Sequence, residues 1–273
     1  MAGKIEDNYE WHSVSDTNKW VYHYTSKETL LEHILPSGKI RLNTFENLND
    51  PKESKEWKFG VSAEDNFTWE KFDEIQVETT KKMQAVSKIL SMVRDSSQAS
   101  IDTIDVVYYR GFARPRMWAQ YAENHSGVCL VFNRQLLEEA ITEELSSEGT
   151  IYYGNVEYNN YNHQTSAYHL HNKDILKTSL EFVIESKIKE YYKIYYFTKS
   201  EDWSSENEWR CVLRGKDKEV KYVSIEKALN GIIVGADFND TYLPSIKPFA
   251  KKYAISLERI HWKNGEPLLL PAE

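Results

Sequence analysis

The sequence predicts an α+β protein in which helices flank a central mixed or antiparallel sheet. Runs rich in aromatic and β-branched residues, such as WVYHYT (20–25) and GVCLVF (127–132), are typical of β-strands. Apolar residues recur at helical spacing in two long segments, about 67–95 and 174–192, which indicates amphipathic helices. The strand and helix patterns do not alternate strictly, and this favours an α+β arrangement over repeated βαβ units.

The N-terminal part of the chain combines a polar segment, two strands and a short helix. Residues 1–19 are polar, so we expect a flexible arm followed by a single domain over residues 20–273. After WVYHYT, Ser26 is placed to cap a short helix, KETLLEHIL, which Pro36 to Gly38 would end. KIRLN predicts a second strand, and TFENLNDPKES predicts a loop because it contains Asn-Asp-Pro.

The rest of the chain continues the mixture of strands and helices. Residues 67–95 predict a long helix, and IDTIDVVYYRGF predicts a strand. Pro115 suits the first turn of the helix PRMWAQYAENH, and GVCLVF is apolar on both faces, as in a central strand. We expect the acidic segment 138–148 to face solvent and residues 174–192 to form the second long helix. The remaining strand predictions are GTIYYGNVEY, IYYFTKS, ENEWRCVL, KYVSI, GIIVG and AISLERIHW, with a helix in TYLPSIKPFAKKY.

Composition and charge narrow the possible functions. Among 273 residues, 42 are acidic and 34 are Lys or Arg, for a formal charge of −8, which argues against a broad phosphate-binding surface. No apolar run approaches membrane-spanning length and no secretory signal core is present, so we expect a cytoplasmic protein without membrane association. Cys129 and Cys211 lie in apolar strand-like runs without metal-ligand spacing, as expected for reduced core residues.

The common cofactor and metal motifs are absent from the sequence. There is no Walker loop, no G-x-G-x-x-G after a strand, no G-x-S-x-G elbow and no H-E-x-x-H. His163, His169 and His171 are close together, but no cysteine or carboxylate pattern completes a zinc site. We therefore expect no bound metal.

Strand alternation puts two polar side chains on one face of the first strand. Tyr22 and Tyr24 point one way, while His23 and Thr25 point the other. An imidazole and a hydroxyl two residues apart can both hydrogen-bond one polar ligand, such as a ribose. The alternative is a half-exposed strand that simply turns its polar residues outward.

The stretch SSENEWRCVL alternates in the same way. Glu206, Glu208 and Arg210 fall on one side of the predicted strand. Two carboxylates and a guanidinium on a sheet face are costly unless they are paired, hydrated or used in chemistry. Glu208 is the best candidate for a catalytic carboxylate, with Glu206 or Arg210 orienting it. A surface ion-pair ladder along an edge strand is the alternative.

Two further stretches contain candidate binding residues. Arg114 and Arg116 lie near the start of the predicted helix PRMWAQYAENH, where the backbone N–H groups attract anions such as a pyrophosphate. Trp118 and Tyr121 of this helix offer aromatic faces to a ligand, unless Trp118 faces the core and the arginines face solvent. Asn49 lies in the sharp turn NLNDP. One hypothesis is that this turn holds Asn49 at a ligand, and the alternative is that Asn49 only forms part of the turn.

These motifs, in this order, resemble a bacterial family catalogued as domain of unknown function 2971. The matching stretches are YHYTS, ILPSGKIRL, FENLNDPKES, MWAQYAENHSGVCLVF, FTKSEDWSSENEWR and GIIVGADF. The resemblance covers about residues 20–260. The chain departs from the family where a Cys-Phe-Ser strand usually precedes the Met-Trp helix, since it reads YYRGFARPR there. The family name implies no activity.

The segment VYHYTSKETLLEHILPSGKIRL is also similar to the first strand, helix and second strand of ADP-ribosyltransferase-like proteins. This resemblance implies a split sheet and NAD as a substrate. It also implies that His23 and Thr25, with Tyr24 between them, hold a ribose and the nicotinamide amide. Glu208 best matches the catalytic glutamate of a late strand, and Tyr121 or Tyr109 is a candidate for the middle aromatic motif.

The resemblance implies an NAD-consuming enzyme, either an ADP-ribosyltransferase or an NAD glycohydrolase, acting as a bacterial toxin or an anti-phage defence effector. Its partners would be NAD and an unidentified protein or nucleic-acid acceptor. Two other readings stay open. One is a metal-dependent nuclease or nucleic-acid-binding module that uses acidic clusters and aromatic stacking. The other is a non-catalytic sensor or scaffold of the same fold.

Overall fold

The computed structural model describes residues 11–12, 16–62, 68–97, 106–160 and 166–272. The strands in this part of the chain are β1 (Trp20–Thr25), β2 (Lys39–Thr44), β3 (Gly60–Ser62), β4 (Ser87–Arg94), β5 (Val128–Asn133), β6 (Gly149–Asn155), β7 (Glu157–Tyr158), β8 (His169–His171), β9 (Thr198–Lys199), β10 (Glu208–Gly215), β11 (Lys221–Ser224), β12 (Leu229–Val234), β13 (Ser256–Lys263) and β14 (Glu266–Pro271).

Helices lie between several of these strands. The α-helices are α1 (Leu35–Ser37), α2 (Pro51–Ser54), α3 (Trp69–Gln84), α4 (Pro115–Tyr121), α5 (Arg134–Leu145), α6 (Asn172–Lys177), α7 (Leu180–Tyr196) and α8 (Leu243–Tyr253). A π-helix spans Thr29–Ile34, and the 3₁₀ turns are Phe45–Asn47, Val106–Tyr109, Glu201–Glu206 and Asp240–Tyr242.

A ten-stranded sheet forms the centre of the fold. Its strand order is β11-β2-β4-β1-β5-β12-β13-β14, with β10 paired to β4 and β6 paired to β10. Among the described strands of this sheet, β12 and β13 are parallel and the other pairs are antiparallel. The predicted α+β class with a central mixed sheet and flanking helices is therefore confirmed.

The sheet divides at β4. One edge of β4 pairs with β10 from Ser87 to Val93. The other edge pairs with β2 at Lys88 and Ile89 and with β1 only at Val93 and Arg94. Because both strands share this edge but meet it at opposite ends, β1 and β2 diverge and leave an opening above the middle of β4.

Three groups of buried apolar side chains support the sheet. The largest contains residues of the central strands, α5 and α8, and the second contains residues of α3 and α7 with β10. The third is strongly aromatic, and its aromatic members are Trp11, Trp20, Tyr22, Tyr24, Phe112 and Trp118. Cys129 and Cys211 are free, buried thiols, which fits the prediction of reduced core residues.

The predicted helix over residues 67–95 is wrong in its second half. Helix α3 ends at Gln84, and Ser87–Arg94 form β4. β4 pairs on both edges and is buried on both faces, so Leu90, Met92 and Val93 are all apolar. Apolar residues on both faces of a strand can also satisfy helical spacing, so periodicity alone does not separate the two structures.

The predicted strand IYYFTKS is also largely wrong. Helix α7 continues through Tyr196, and only Thr198–Lys199 form a short strand. Tyr195 and Tyr196 are buried in the second core group, where packing of their rings outweighs the strand preference of aromatic residues. The predicted helix over 174–192 is present as α6 and α7, which are interrupted at Thr178 and Ser179.

Two smaller predictions also change. In IDTIDVVYYRGF, residues 101–105 lie outside the described residues, and Val106–Tyr109 form a 3₁₀ turn instead of a strand. This turn brings Arg110 to Asp95, whose Oδ2 lies 3.1 Å from the Arg110 Nε in a buried ion pair. The acidic segment 138–148 lies mostly in α5, which buries an apolar stripe that includes Leu137 and Ile141.

Most of the expected N-terminal arm, residues 1–19, lies outside the described residues. Within it, Trp11 is fully buried, and its Nε1 donates a hydrogen bond to Ser256 Oγ at 3.1 Å. Arg110 donates to the backbone oxygen of His12 at 3.2 Å. The description of this segment as a loose arm is therefore corrected at Trp11, which packs in the aromatic core group. Across the described residues, no helix combines the length and apolar character needed to span a bilayer.

Candidate functional site

The opening between β1 and β2 contains a cavity of about 1000 Å³, at the upper end of the size range of small-molecule sites. Strands β1 and β2 and the π-helix between them supply its walls, and β4 residues Ile89 to Val93 supply its floor. Seven of the ten predicted site residues line it, although they come from four distant segments of the chain. They are His23, Tyr24, Thr25, Asn49, Tyr121, Glu206 and Glu208.

His23 and Thr25 reach the cavity because β1 leaves β4 after Tyr22. His23 Nδ1 lies 3.4 Å from the backbone oxygen of Ser91 on the floor. A carbonyl oxygen only accepts, so Nδ1 carries the proton and the neutral ring keeps Nε2 as an acceptor. Burial lowers the pKa of His23 to about 4, against the opposing effect of the Ser91 bond. The imidazole is therefore neutral near pH 7.

A buried charge cluster (Glu53, Lys199, Glu206, Glu208 and Arg210) adjoins the cavity. Lys199 Nζ lies 2.7 Å from Glu206 Oε2, 3.0 Å from Glu208 Oε2 and 3.7 Å from Glu53 Oε2. Arg210 pairs with both Glu208 and Glu53, and its second contact with Glu208 is 2.9 Å. The cluster contains three carboxylates and two cations, so it carries one net negative charge when all five groups are ionised.

A left-handed residue aligns the two predicted carboxylates. Asn207, between Glu206 and Glu208, has φ 46°, a conformation that Asn tolerates better than most residues. Its side-chain amide donates to the backbone oxygens of Arg94 at 3.0 Å and Asp95 at 2.9 Å. These bonds fix the chain at the start of β10, where both carboxylates turn toward the cavity.

The environment of Glu208 holds it ionised. Burial opposes the charge, but Arg210 and Lys199 outweigh it and lower the pKa of Glu208 to about 2. Arg210 itself is fully buried and also donates to the backbone oxygen of Tyr196 at 2.9 Å. Arg210 is absent from the cavity lining, so it acts on a ligand only by positioning Glu208.

Tyr121 connects the helix α4 to the charge cluster. Its hydroxyl donates to Glu206 Oε1 at 2.5 Å, and burial followed by the nearby Glu206 carboxylate raises the pKa of Tyr121. Met117 and Tyr121 lie one helical turn apart and both line the cavity. The tyrosine therefore stays protonated and offers its ring to the cavity.

Glu53 and Lys199 are site residues that the sequence reasoning missed. Asp50 caps α2 by accepting from the Lys52 backbone N–H at 2.9 Å, and this one-turn helix carries Glu53 into the cluster. Glu53 lies in NDPKES and Lys199 in FTKSEDW, both within the stretches that carry the family resemblance. Their position in these stretches is the sequence feature that points to a functional role. Neither residue has an ion-pair partner next to it in the sequence, so the charge cluster cannot be recognised locally.

Three of the predicted site residues, Arg116, Trp118 and Arg210, do not line the cavity. Trp118 is fully buried in the aromatic core group, where its Nε1 donates to the Phe112 backbone oxygen at 2.8 Å. Arg116 is exposed and donates to the Asp202 backbone oxygen and to Ser205 Oγ, both at 3.1 Å. The structure therefore does not bring these two side chains to the cavity, because α4 points its first turn toward the 201–206 turn and packs Trp118 into the core.

Tyr24 and Tyr109 contribute less to the cavity than the sequence predicted. Tyr24 lines the cavity, but its hydroxyl donates to the Gly111 backbone oxygen at 2.7 Å and its ring packs edge-on against Trp118. Tyr109, the other candidate for the middle aromatic motif, lies in the 3₁₀ turn Val106–Tyr109 and does not line the cavity. Tyr121 is therefore the better candidate of the two.

The described residues contain no group of three or more His, Cys, Asp or Glu side chains arranged to hold a metal ion. The buried charge cluster contains three carboxylates, as a metal site would, but these carboxylates already pair with Lys199 and Arg210. His171 contacts Ser62 Oγ at 2.6 Å, and His163 lies outside the described residues.

Part of the chain matches a known protein family. Residues 117–211 match the family model described as "Protein of unknown function (DUF2971)". This match confirms the resemblance to DUF2971. The DUF2971 segment contains Tyr121, Lys199, Glu206 and Glu208, whereas His23 and the other cavity residues of β1 and β2 precede it. Neither the curated proteins nor the solved structures include a match to this chain.

Proposed function

We propose that the protein consumes NAD by cleaving its nicotinamide–ribose bond, as an ADP-ribosyltransferase or an NAD glycohydrolase. The observation that carries the proposal is the common cavity of His23, Thr25, Tyr121 and Glu208. These residue types suit one ligand with a ribose, an aromatic ring and a cationic centre. The ADP-ribosyltransferase-like character of the fold is part of this proposal.

The chemistry needs a stable negative charge beside the reacting ribose. The bond between ribose C1′ and the nicotinamide nitrogen breaks, and its electron pair leaves with nicotinamide. Water or an acceptor nucleophile then bonds to C1′ and releases a proton. The intervening state is oxocarbenium-like, as in glycoside cleavage, and a preorganised carboxylate stabilises it. Glu208, which stays ionised above about pH 2, supplies that charge.

The other cavity residues orient the substrate. The neutral His23 ring keeps one nitrogen as an acceptor for a ribose hydroxyl, and Thr25 adds a hydroxyl from the same strand face. Tyr121 presents an aromatic ring suited to stacking on nicotinamide. Its hydroxyl is committed to Glu206, so this side chain and Glu206 hold each other in place.

The charge balance of the cluster also supports the proposal. Lys199 and Arg210 both lie beside Glu208. If Glu208 were the only carboxylate in the cluster, these two cations would cancel the attraction between Glu208 and an oxocarbenium ion. Glu53 and Glu206 bring the total to three carboxylates against two cations. The net charge of −1 lets the cluster attract the developing positive charge.

The test is release of nicotinamide from NAD by the purified protein without added metal. We expect Glu208→Gln to lower the rate about 100-fold or more, in the range seen when one electrostatic group is removed. Glu143→Gln on the exposed surface of α5 is the matched control and should leave the rate unchanged. Metal-dependent cleavage of RNA or DNA with inert NAD would contradict the proposal.

Removal of one partner from a buried ion cluster is often strongly destabilising, so a second variant is needed. Thr25→Val keeps the side-chain shape and removes only the hydroxyl. We expect it to fold normally and to raise KM for NAD about tenfold. Thermal stabilisation of the wild-type protein by NAD without any turnover would instead indicate a non-catalytic sensor.

A bacterial toxin or anti-phage effector is the biological setting that this activity fits. Expression of the wild-type chain in bacteria is expected to lower cellular NAD and stop growth, whereas the Glu208→Gln variant should not. The acceptor of any ADP-ribosyl group, protein or nucleic acid, would be labelled in the same cells.

A further inference from the structure

A second polar face borders the same cavity, on the side of β2 and β11. Strand alternation buries Ile40 and Leu42 in the core, although Ile40 also borders the cavity, and puts Lys39, Arg41 and Asn43 on the other side of β2, where they line the cavity. Tyr222 of β11, which is 47% exposed, pairs with Arg41 in the strand register and also lines the cavity. We call these four residues the β2–β11 face.

The cations of this face lack acidic partners. None of the ion pairs within the described residues involves Lys39 or Arg41. Glu32 of the π-helix lines the cavity too, so these three ionised groups carry a net charge of +1. In a chain of formal charge −8, two unpaired cations at one cavity favour an anionic ligand.

The two charged ends of the cavity are well separated. Glu208 pairs with Val93 of β4, and Asn43 at the inner end of the β2–β11 face pairs with Ile89. Because β10 and β2 flank β4 on opposite edges, two strand spacings of roughly 5 Å each lie between them, and at Asn43 the four-residue offset adds roughly 13 Å along the strands. Arg41 is level with Ser91 in this antiparallel register, but it lies on the part of β2 that no longer pairs with β4. A ligand that reaches both ends must therefore be long and must carry its negative charge away from Glu208.

We propose that the β2–β11 face binds the diphosphate and the purine of a nucleoside diphosphate moiety. Arg41 would bind phosphate oxygens in a bidentate manner, Lys39 would add a point charge, and the Tyr222 ring would stack on the base. This assignment rests on the proposed function. It makes the substrate a full dinucleotide, since a mononucleotide or nucleoside would leave the β2–β11 face empty.

The test is calorimetric titration of the purified protein with ADP, which needs no turnover. We expect Arg41→Gln and Lys39→Gln each to weaken ADP binding about tenfold, and Arg41→Lys to restore it only in part because the fork geometry is lost. Tyr222→Ala should weaken binding similarly. Lys247→Gln, at an exposed site on α8, is the matched control and should bind ADP as the wild type does.

A second readout compares NAD with nicotinamide mononucleotide. Arg41→Gln should lower kcat/KM for NAD about tenfold and leave the value for the mononucleotide unchanged. Absence of ADP binding, or binding that is equal in wild type, Arg41→Gln and Tyr222→Ala, would overturn the inference. ADP binding with the expected pattern but no cleavage of NAD would overturn the proposed function and support the β2–β11 face.

Discussion

Glu53 is the carboxylate of the buried charge cluster with the weakest set of partners. Its Oε1 pairs with Arg210, but its Oε2 has no hydrogen bond and lies 3.7 Å from Lys199 Nζ. Burial raises the pKa of Glu53, and the two cations only partly oppose this effect. Glu208 beside it stays ionised, so Glu53 decides whether the cluster is neutral or carries one negative charge.

This assignment predicts a pH dependence. Below its raised pKa Glu53 is protonated and the cluster is neutral, so the cleavage rate should be low. As pH rises through that pKa, the cluster gains a negative charge and the rate should rise. The Glu53→Gln variant fixes the neutral state, so its pH–rate profile should lose this rise and stay about tenfold below the wild-type plateau. An unchanged profile in the variant would show that another group controls the rise.

The connection between α4 and β5 illustrates how an element positions a site residue. After Tyr121 the chain makes an abrupt reversal through three consecutive residues of positive φ, Glu123, Asn124 and His125. The Gly127 N–H then donates to the Ala122 backbone oxygen at 2.8 Å. The reversal turns the chain from α4 directly into β5, which pairs with β1 along its whole length, including Thr25.

Gly127 is required by this close approach. A Cβ at this position would lie 2.5 Å from the Thr25 backbone oxygen and 2.8 Å from the Ala122 carbonyl carbon, and neither backbone atom yields easily. Gly127→Ala should therefore destabilise the fold by about 2–4 kcal/mol, as a collision within a packed core does. Urea unfolding measures this loss. Gly215→Ala, whose Cβ would meet only atoms at 3.6 Å or beyond, should lose less than about 1 kcal/mol.

At the scale of the molecule, the aromatic core group connects the N-terminal Trp11 and strand β13 to β1, which forms a wall of the cavity. Trp11 packs edge-on against Phe112, with ring centroids 5.8 Å apart, and hydrogen-bonds Ser256 at the start of β13. Tyr22 and Tyr24 of β1 belong to the same group. The strand that carries His23 and Thr25 is thus held on its opposite face by a core that includes the N-terminal Trp11.

Trp11→Ala tests this connection. Loss of a fully buried tryptophan costs about 3–5 kcal/mol, so the variant should unfold at a clearly lower urea concentration than the wild type. Trp203→Ala serves as a comparison, because Trp203 is only partly buried and should cost less. Equal stability of Trp11→Ala and wild type would show that the N-terminal segment does not belong to the core.

The sequence was informative wherever a signal is local. Strand alternation placed His23 and Thr25 together on one face of β1, and it placed Glu208 and Arg210 on one side of β10, where they form an ion pair. The hairpin between β13 and β14 has an equally local signal in the sequence. Its turn is Asn264–Gly265, both with positive φ, which is the strongest short-range indication of a hairpin.

Local signals failed where a residue's role depends on what packs against it. Trp118 and Arg116 lie two residues apart on one short helix, yet one is buried and the other faces the 201–206 turn. Apolar spacing could not distinguish β4 from a helix, because a strand buried on both faces carries apolar residues on both.

By itself, the sequence determined the α+β class, most of the strands and the two polar strand faces, because side-chain direction within a strand repeats every two residues. Only the tertiary structure decided that the sheet divides at β4 and that Glu53 and Arg210, 157 residues apart, share one buried charge cluster. Ion pairs act between atoms a few ångströms apart whatever their separation along the chain. The packing of β1, β2 and β10 around β4 therefore decides where the cavity lies and which side chains line it.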